Sequence, residues 1–357
     1  MRGNEEKQTT LLCLLNVEER VPQDHPLRPI KRMAEEALAS MSPLFESMYS
    51  RVGRPSIPPE TLLKSQLLIA LYTVRSDRLF CEQLEWNLLW RWFLNMDAVS
   101  WGFDHSTFSK NRERFVTHDV SGEFFKVVVE QARVAGLLSS EHFSVDGTLI
   151  EAWASMKSFR PKDDDDNDNN GWADFRGKKR KNDTHESKTD PEAKLFRKGK
   201  GKEAKLCYMG HGLMENRNHL LVGIEVTQAT GTAERDAAAL LLDQAPRDGP
   251  RTLGGDKGYD TKDFVAACRA RNVTPHVAQN TSRRRSAIDG RTTRHPGYRA
   301  SEIVRRMIEG IFGWMKTTGG ARKTRFRGAA RVRQDFVFRG AAYNLLRIGK
   351  LIDGATA

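Results

Sequence analysis

The chain has 357 residues, of which 39% are hydrophobic and 29% charged, a composition that excludes wholesale disorder and suits a globular chain of about two domains. No apolar stretch approaches the ~18–20 residues that span a bilayer, and residues 1–6 lack a signal-peptide profile, so we expect neither a membrane nor a secreted protein. An excess of 58 basic over 46 acidic residues gives a net charge of +12, which favours a polyanionic partner.

Helical patterns fill the first 137 residues. A proline-rich entry at residues 55–60 leads into a helix predicted over residues 61–74, which carries a broad apolar face. Residues 79–94 contain Trp86, Trp90, Trp92 and Phe93. We favour a small helical core for this aromatic cluster over a platform on which bases stack.

A further helix is predicted after the turn at residues 101–103, with Asp104 or Ser106 as its cap. It is expected to show polar and basic side chains to solvent, and these suit contacts with phosphates and base edges: Ser109, Lys110, Asn111, Arg112 and Arg114. Either a DNA-recognition helix or an ordinary capped basic helix fits this pattern.

Strand patterns begin at residue 141. A strand is predicted over residues 142–150, a hairpin over residues 205–228, and short buried strands over residues 252–255 and 273–278. Helices are predicted between the later strands, at residues 232–244 and 261–271. Three antiparallel strands followed by alternating helices and strands indicate an α/β domain with a mixed sheet.

An insertion at about residues 155–204 interrupts this domain. It contains an acidic run at residues 163–170 and a basic run at residues 178–181, and few apolar residues, so we expect a mobile loop. The acidic run lacks the ligand spacing of a calcium loop. A second basic stretch, residues 321–333, has six basic residues and no acidic one, and it makes Arg322, Lys323 and Arg325 candidate DNA contacts.

Several common catalytic motifs are absent from the sequence. There is no nucleotide-binding glycine loop, no metalloprotease HExxH and no serine-hydrolase GxSxG. The four cysteines are far apart and form no CxxC pair, which favours a reducing cytoplasm over a disulfide framework.

Three acidic residues occupy conspicuous positions. Asp146 lies within an apolar strand pattern, although Asp146-Gly147 is equally typical of a hairpin turn. Asp256 ends a short strand beside glycines, where either a site or a plain polar loop is expected. Glu309 lies in a helical pattern over residues 301–316.

The face of this last helix is charged. At 100° per residue, Arg305, Glu309 and Lys316 project at about 0°, 40° and 20° around the axis. A surface ion pair between Arg305 and Glu309 would explain part of this arrangement, but Lys316 lies nearly two turns farther on.

Two aspartates and a glutamate are hard oxygen ligands that suit Mg²⁺ or Mn²⁺. In a basic protein the natural phosphate substrate is nucleic acid. Two such ions ~3.5–4 Å apart can activate an attacking oxygen and stabilise the leaving oxygen of a phosphodiester.

The sequence resembles the DDE transposases of bacterial insertion sequences, most closely the IS-five/IS-four type. The resemblance extends over nearly the whole chain and rests on these segments: residues 104–109 (DHSTFS), 145–148 (VDGT), 231–236 (GTAERD), 255–260 (GDKGYD) and 309–316 (EGIFGWMK). It implies an RNase H-like fold for residues 138–357, preceded in the sequence by a helical DNA-binding domain at residues 1–137. It also implies that Asp146, Asp256 and Glu309 form the catalytic, metal-binding triad.

Arg305, Glu309 and Lys316 match the last three positions of the IS-four signature Tyr-x2-Arg-x3-Glu-x6-Lys. Glu302 stands at the tyrosine position, which makes the IS-five branch the better match. Arg305 and Lys316 cannot help to hold a cation, so we expect them to contact DNA phosphates.

The resemblance implies metal-dependent cleavage at the ends of an element and strand transfer to target DNA. It implies two Mg²⁺ or Mn²⁺ ions, double-stranded DNA (terminal repeats and target) as partner, a homo-oligomer on that DNA, no membrane association, and a place in the bacterial cytoplasm at the nucleoid. Two alternatives stay open: a DNA-binding regulator derived from a transposase, and a metal nuclease that cuts without joining.

Overall fold

The computed structural model describes residues 16–50, 52–53, 55–162, 181–197, 199, 201–245 and 249–355. Its N-terminal part is helical, as predicted. The helices are α1 (Val17–Arg20), α2 (Leu27–Ser40), α3 (Ser42–Met48), α4 (Pro59–Leu71), α5 (Asp77–Leu84), α6 (Leu88–Phe93), α7 (Ser106–Thr117) and α8 (Val120–Val134).

The aromatic cluster belongs to the core of these helices. Trp90, Trp92 and Phe93 are buried, and the rings of Trp90 and Phe80 stack with their centroids 5.0 Å apart. Trp86 is the exception, with 70% of its surface exposed. The segment forms two helices because the Asn87 side chain accepts a hydrogen bond from the backbone N–H of Trp90 and starts α6. The predicted helical core is therefore confirmed.

Eight strands are found in the described part of the chain. They are β1 (His142–Glu151), β2 (Phe159–Pro161), β3 (His185–Ser187), β4 (Lys194–Phe196), β5 (Lys205–Glu215), β6 (Leu221–Gln228), β7 (Arg251–Gly255) and β8 (Val273–Val277). Six of them form the main sheet, in the order β4-β5-β1-β7-β8, with β6 also paired to β5. β5 is antiparallel to β1 and β6, whereas β7 is parallel to β1 and β8. The predicted RNase H-like mixed sheet is confirmed.

Asp146 and Gly147 lie in the middle of β1. Asp146 pairs with Gly212 of β5 and Gly147 pairs with His211, in an unbroken register that runs from Phe143 to Glu151. The hairpin-turn interpretation of Asp146-Gly147 is therefore wrong, because both residues are extended and paired. Asp146 remains a candidate for the site.

The insertion is partly ordered, which corrects the prediction of a mobile loop for residues 155–162 and 181–197. β2 and β3 form a small antiparallel sheet, and β4 pairs with β5. The Asp190 carboxylate accepts hydrogen bonds from the Tyr208 hydroxyl at 2.7 Å and from the backbone N–H of Gly328 at 3.2 Å. A few well-placed residues anchor this segment despite its low apolar content. The acidic run and most of the basic run, residues 163–180, lie outside the described residues.

The remaining helices follow the strands. They are α9 (Ala233–Gln244), α10 (Lys262–Ala270), α11 (Gly290–Thr293), α12 (Pro296–Val304), α13 (Met307–Lys316) and α14 (Ala329–Ala355). α14 packs against both the N-terminal helices and the sheet: Phe338 stacks on Phe124 of α8 at 5.2 Å, and Phe336 covers Gly210 of β5. The predicted domain boundary at residues 137/138 falls within this shared hydrophobic core. It stays a prediction about where the function of the chain changes.

No helix in the described ranges is both long enough and apolar enough to cross a membrane.

Candidate active site

A gap at the edge of β1 creates a cleft. β7 pairs with β1 from His142 to Ser144, whereas β1 continues to Glu151. Asp146 and Thr148 therefore lie beyond the end of the neighbouring parallel strand. This is the carboxyl-end position at which sheets of this kind bind ligands.

The two aspartates flank this gap. Asp146 is half-buried on β1. Asp256 directly follows β7, and its Oδ1 accepts a hydrogen bond of 2.7 Å from the backbone N–H of Gly258, which starts a short helical turn at Lys257–Tyr259. The side chain of Asp256 is exposed at the mouth of the cleft.

Helix α13 brings Glu309 to the same cleft. Its buried side chains, Ile308, Ile311, Phe312 and Met315, leave Glu309 on the exposed side. The helix packs closely because β5 has no side chain at Gly212: a Cβ there would lie 3.2 Å from Cζ of Phe312. Gly212 is also the cross-strand partner of Asp146, so α13 packs beside β1.

The predicted continuous helix over residues 301–316 is interrupted at Arg305 and Arg306. Around this point the backbone N–H of Glu309 bonds to the carbonyl of Arg306, three residues back, at 3.1 Å. The bend follows from two separate anchors. Ser301 of α12 hydrogen bonds with His276 of β8 at 2.7 Å, whereas α13 packs on β5.

Arg305 is paired, but not with Glu309. Its Nε lies 3.3 Å from Oε1 of Glu302, the residue at the signature's tyrosine position. Burial raises the pKa of Glu302, against the opposing effect of Arg305. The alternative of a surface ion pair between Arg305 and Glu309 is therefore wrong, because Arg305 forms a half-buried pair with Glu302 instead.

The cleft has a volume of about 350 Å³. The residues that line it include all three predicted acidic residues and both predicted cations: Asp146, Asp256, Glu309, Arg305 and Lys316. Interruption of the helix does not separate them. The structure thus brings together five residues that the sequence distributes over 171 positions (146 to 316).

Glu234 also lines the cleft, although it was not among the predicted site residues. It lies in the first turn of α9, and its carboxylate covers Gly147: a Cβ on Gly147 would lie 2.8 Å from Oε1 of Glu234. Four carboxylates and two cations give the cleft a formal charge of −2, within a chain whose net charge is +12. The sequence pointed to Glu234 only through residues 231–236, one of the segments that resemble DDE transposases.

Tyr259 lies beside these carboxylates. It is fully buried, and its hydroxyl makes no hydrogen bond to any described residue. Burial, and then the negative charges of the nearby carboxylates, raise the pKa of Tyr259 well above its usual value. The hydroxyl therefore stays protonated and neutral.

The donor chemistry of the cleft fits a hard divalent cation, since every acidic side chain offers carboxylate oxygens. The carboxylates are spread around the cleft. Within the described ranges, no three acidic, histidine or cysteine side chains are close enough together to hold one ion. Asp256 and Glu309 are both exposed, so their side chains have room to turn toward a cation.

Helix α7 presents a narrower polar surface than predicted. Ser109 and Lys110 are exposed. Asn111, however, is 3% exposed and accepts a hydrogen bond from the Tyr49 hydroxyl at 3.0 Å. Arg112 is half-buried and donates to Asp77 at 2.7 Å. The expected solvent-facing row was wrong for Asn111, because α7 turns this side chain toward Tyr49, the residue directly after α3.

The second basic stretch is fixed to the end of β1. The backbone N–H of Glu151 donates to the carbonyl of Arg322 at 3.0 Å, and Lys323 lies over the ring of Trp153 at 5.7 Å. Arg322 and Lys323 are exposed, whereas Arg325 is half-buried and donates to the carbonyl of Arg75 at 2.8 Å.

Two transposase domain models match the sequence. A Transposase domain (DUF772) model matches residues 15–114, and a Transposase DDE domain model matches residues 140–345, more than half of the chain. The chain therefore belongs to the DDE transposase family, as the resemblance implied. Members of this family generally depend on divalent metal ions. No curated protein matches the chain.

Solved transposase structures show a distant likeness. A piggyBac transposase synaptic complex with hairpin DNA is 11% identical, with a TM-score of 0.45 over 92% of this chain and 76% of that chain. The Mos1 strand transfer complex is 10% identical, with a TM-score of 0.25 over 86% of this chain and 81% of that chain. Values below 0.5 do not establish a common fold, so membership rests on the Transposase DDE domain match.

Proposed function

We propose that this chain cleaves DNA strands at the ends of an insertion element and joins them to target DNA, in a divalent-metal-dependent reaction. The observation that carries the proposal is the shared cleft. Asp146, Asp256 and Glu309, which come from β1, the end of β7 and α13, line one cavity together with two cations.

The three carboxylates would hold the ions. Two bound Mg²⁺ or Mn²⁺ ions would activate the attacking oxygen and stabilise the leaving oxygen of the phosphodiester. Asp256 is held by its bond to the backbone of Gly258, and Glu309 by the packing of α13, so both carboxylates are presented from supported elements.

Arg305 and Lys316 would bind the substrate. Both cations line the cleft beside the carboxylates, where a bound phosphodiester would lie between opposite charges. Arg305 can grip one phosphate with two N–H groups, and Lys316 acts as a point charge. First a water molecule would attack the phosphodiester at the element end and displace its 3′-oxygen, which leaves as a 3′-hydroxyl. That hydroxyl would then attack a phosphodiester of target DNA and displace the 3′-oxygen of the target strand, which leaves as a new 3′-hydroxyl.

Double-stranded DNA, as terminal repeats and as target, is the proposed partner. The exposed side chains of Ser109, Lys110, Arg322 and Lys323 would contact its backbone outside the cleft. Two element ends must be held together, which favours a homo-oligomer on DNA, in the cytoplasm and at the nucleoid.

The test is an incubation with supercoiled plasmid that carries the terminal repeats flanking the element. We expect strand cuts at the repeats with Mg²⁺, none with EDTA, and joined products when target DNA is added. Cutting without joining would favour the metal nuclease. Binding without cutting in Mg²⁺ and in Mn²⁺ would favour the DNA-binding regulator and overturn the proposal.

A further inference from the structure

A second cavity, distinct from the active-site cleft, lies between the N-terminal helices and α14. It has a volume of about 40 Å³ and is lined by four arginines: Arg112 of α7, Arg325 of the preceding loop, and Arg331 and Arg339 of α14. We call it the arginine cavity. Space of this size takes about three water molecules or one small oxyanion, and it excludes a nucleoside.

The two aspartates that line the arginine cavity do not neutralise its four arginines. Asp77 accepts from Arg112 at 2.7 Å, and Asp335 binds Arg339 through two N–H groups at 2.8 and 2.9 Å. These two aspartates are the acidic residues that line the cavity, whereas Arg331 pairs with a glutamate outside it. Arg325 lies 3.9 Å from Asp77, too far for a hydrogen bond.

Gln334 supplies an independent observation. It lines the cavity, is 8% exposed, and its Nε2 makes no hydrogen bond to any described residue. A buried amide donor of this kind lowers stability unless it meets an acceptor. The two carboxylates that line the cavity, Asp77 and Asp335, already accept from Arg112 and Arg339, and the arginines themselves cannot accept. A bound oxyanion would supply the acceptor that this amide lacks.

The walls strengthen charge interactions inside the cavity. Phe115, Phe326 and Phe338 line it, and the guanidinium of Arg112 lies over the Phe326 ring at 4.6 Å. Burial lowers the pKa of Arg325. A guanidinium keeps its charge even so, and low polarity around it increases its attraction for an anion.

We propose that the arginine cavity binds one phosphate group. A guanidinium fork matches two phosphate oxygens, and a tetrahedral phosphate offers further acceptors to the Gln334 amide. The group is either inorganic phosphate or a phosphodiester of bound DNA, and the second source rests on the proposed function. Bound there, it would tie α7 to α14 and so connect the N-terminal helices to the catalytic part of the chain.

The experiment uses the full chain and inorganic phosphate, with chloride at equal ionic strength as reference. Calorimetric titration is expected to show about one phosphate per chain, and thermal unfolding is expected to shift upward with phosphate. Gln334→Leu and Arg325→Lys should each weaken phosphate binding about five- to tenfold, as for loss of one charge-assisted contact. Arg133→Gln, an exposed arginine of α8 outside the cavity, is the matched control and should leave it unchanged.

Competition with duplex DNA distinguishes the two sources of the phosphate group. Phosphate that weakens duplex binding by the unaltered chain, but not by Gln334→Leu, identifies a DNA phosphate as the occupant. Phosphate that binds without this competition identifies the free ion. No phosphate binding beyond chloride, or binding that neither variant changes, overturns the proposal. None of these readouts needs strand cleavage, so this proposal can fail while the proposed function stands.

Discussion

Replacement of Gly210 by alanine should destabilise the fold by a calculable clash. Gly210 lies on β5 under α14, and an added Cβ would lie 2.5 Å from Cζ and 2.6 Å from Cε1 of Phe336. Carbon atoms pack at about 3.5–4.0 Å, so the ring would have to move by about 1 Å. Phe336 is 1% exposed, so its ring cannot move without displacing the side chains packed around it.

Overpacking of this kind destabilises the folded state by about 1–3 kcal/mol. Alanine also lowers the conformational entropy of the unfolded chain, which stabilises the folded state by about 0.4–1 kcal/mol. We therefore expect Gly210→Ala to lower the free energy of unfolding by about 1–2 kcal/mol. Urea unfolding followed by tryptophan fluorescence measures this change.

Gly212→Ala is the matched control on the same strand. Its added Cβ would lie 3.1 Å from Leu221 and 3.2 Å from Phe312, so shifts of a few tenths of an ångström relieve it. Its cost should stay below about 1 kcal/mol. Phe336→Leu in the Gly210→Ala background should recover part of the loss, because the two sites are in contact. Equal stability of Gly210→Ala and the unaltered chain would refute the packing of α14 on β5.

Three further predictions concern charge. Lys110→Ala should weaken terminal-repeat binding and reduce its salt dependence by about one ion, without changing the free energy of unfolding. Arg112→Ala should lower the free energy of unfolding in urea by about 1–3 kcal/mol, because it leaves the half-buried Asp77 without its hydrogen-bond donor. The reverse pattern would contradict the described faces of α7. Burial lowers the pKa of His211 to about 4, so between pH 6.5 and pH 4 the unfolded chain binds more protons than the folded chain. As the pH is lowered through this range, the free energy of unfolding should decrease by about 2–3 kcal/mol more than in His211→Gln. Parallel pH profiles of the two proteins would argue against a neutral buried histidine. Lys316→Ala should slow strand transfer about 10- to 100-fold. Arg305→Ala should slow it as well, and should also lower the melting temperature because it leaves the half-buried Glu302 without its ion-pair partner. A folding defect with normal transfer per folded molecule would give either residue a purely structural role.

Local patterns predicted most of the strands because their apolar alternation is strong. The hairpin of β5 and β6 appears where the sequence places it, and the aromatic cluster packs as a core. Asp146-Gly147 was ambiguous, because the same dipeptide serves in turns and in strands. Its pairing with Gly212 and His211 depends on β5, which is about 60 residues away in sequence. No local pattern contains that information.

Three features of the site depend on tertiary packing. The bend at Arg305 arises because α12 and α13 are anchored on different strands, which helical periodicity cannot report. The solvent face of α7 was misjudged at Asn111, because a short polar residue reads as exposed unless its partner on another helix is known. Glu234 was missed because its closeness to Gly147 requires α9 to begin beside β1.

The Asp256→Asn variant tests whether Asp256 acts with Asp146 and Glu309 in a metal-dependent cleavage. The asparagine oxygen can keep the bond to the Gly258 N–H, so the loop should hold its shape while one charge is lost. Asp263→Asn, at an exposed aspartate of α10, is the matched control. Plasmid cleavage at the terminal repeats is measured in Mg²⁺, with repeat binding by gel shift alongside. We predict that Asp256→Asn binds the repeats normally and does not cut them, while Asp263→Asn does both. Mg²⁺-dependent cutting by Asp256→Asn at the rate of the control would contradict the assignment.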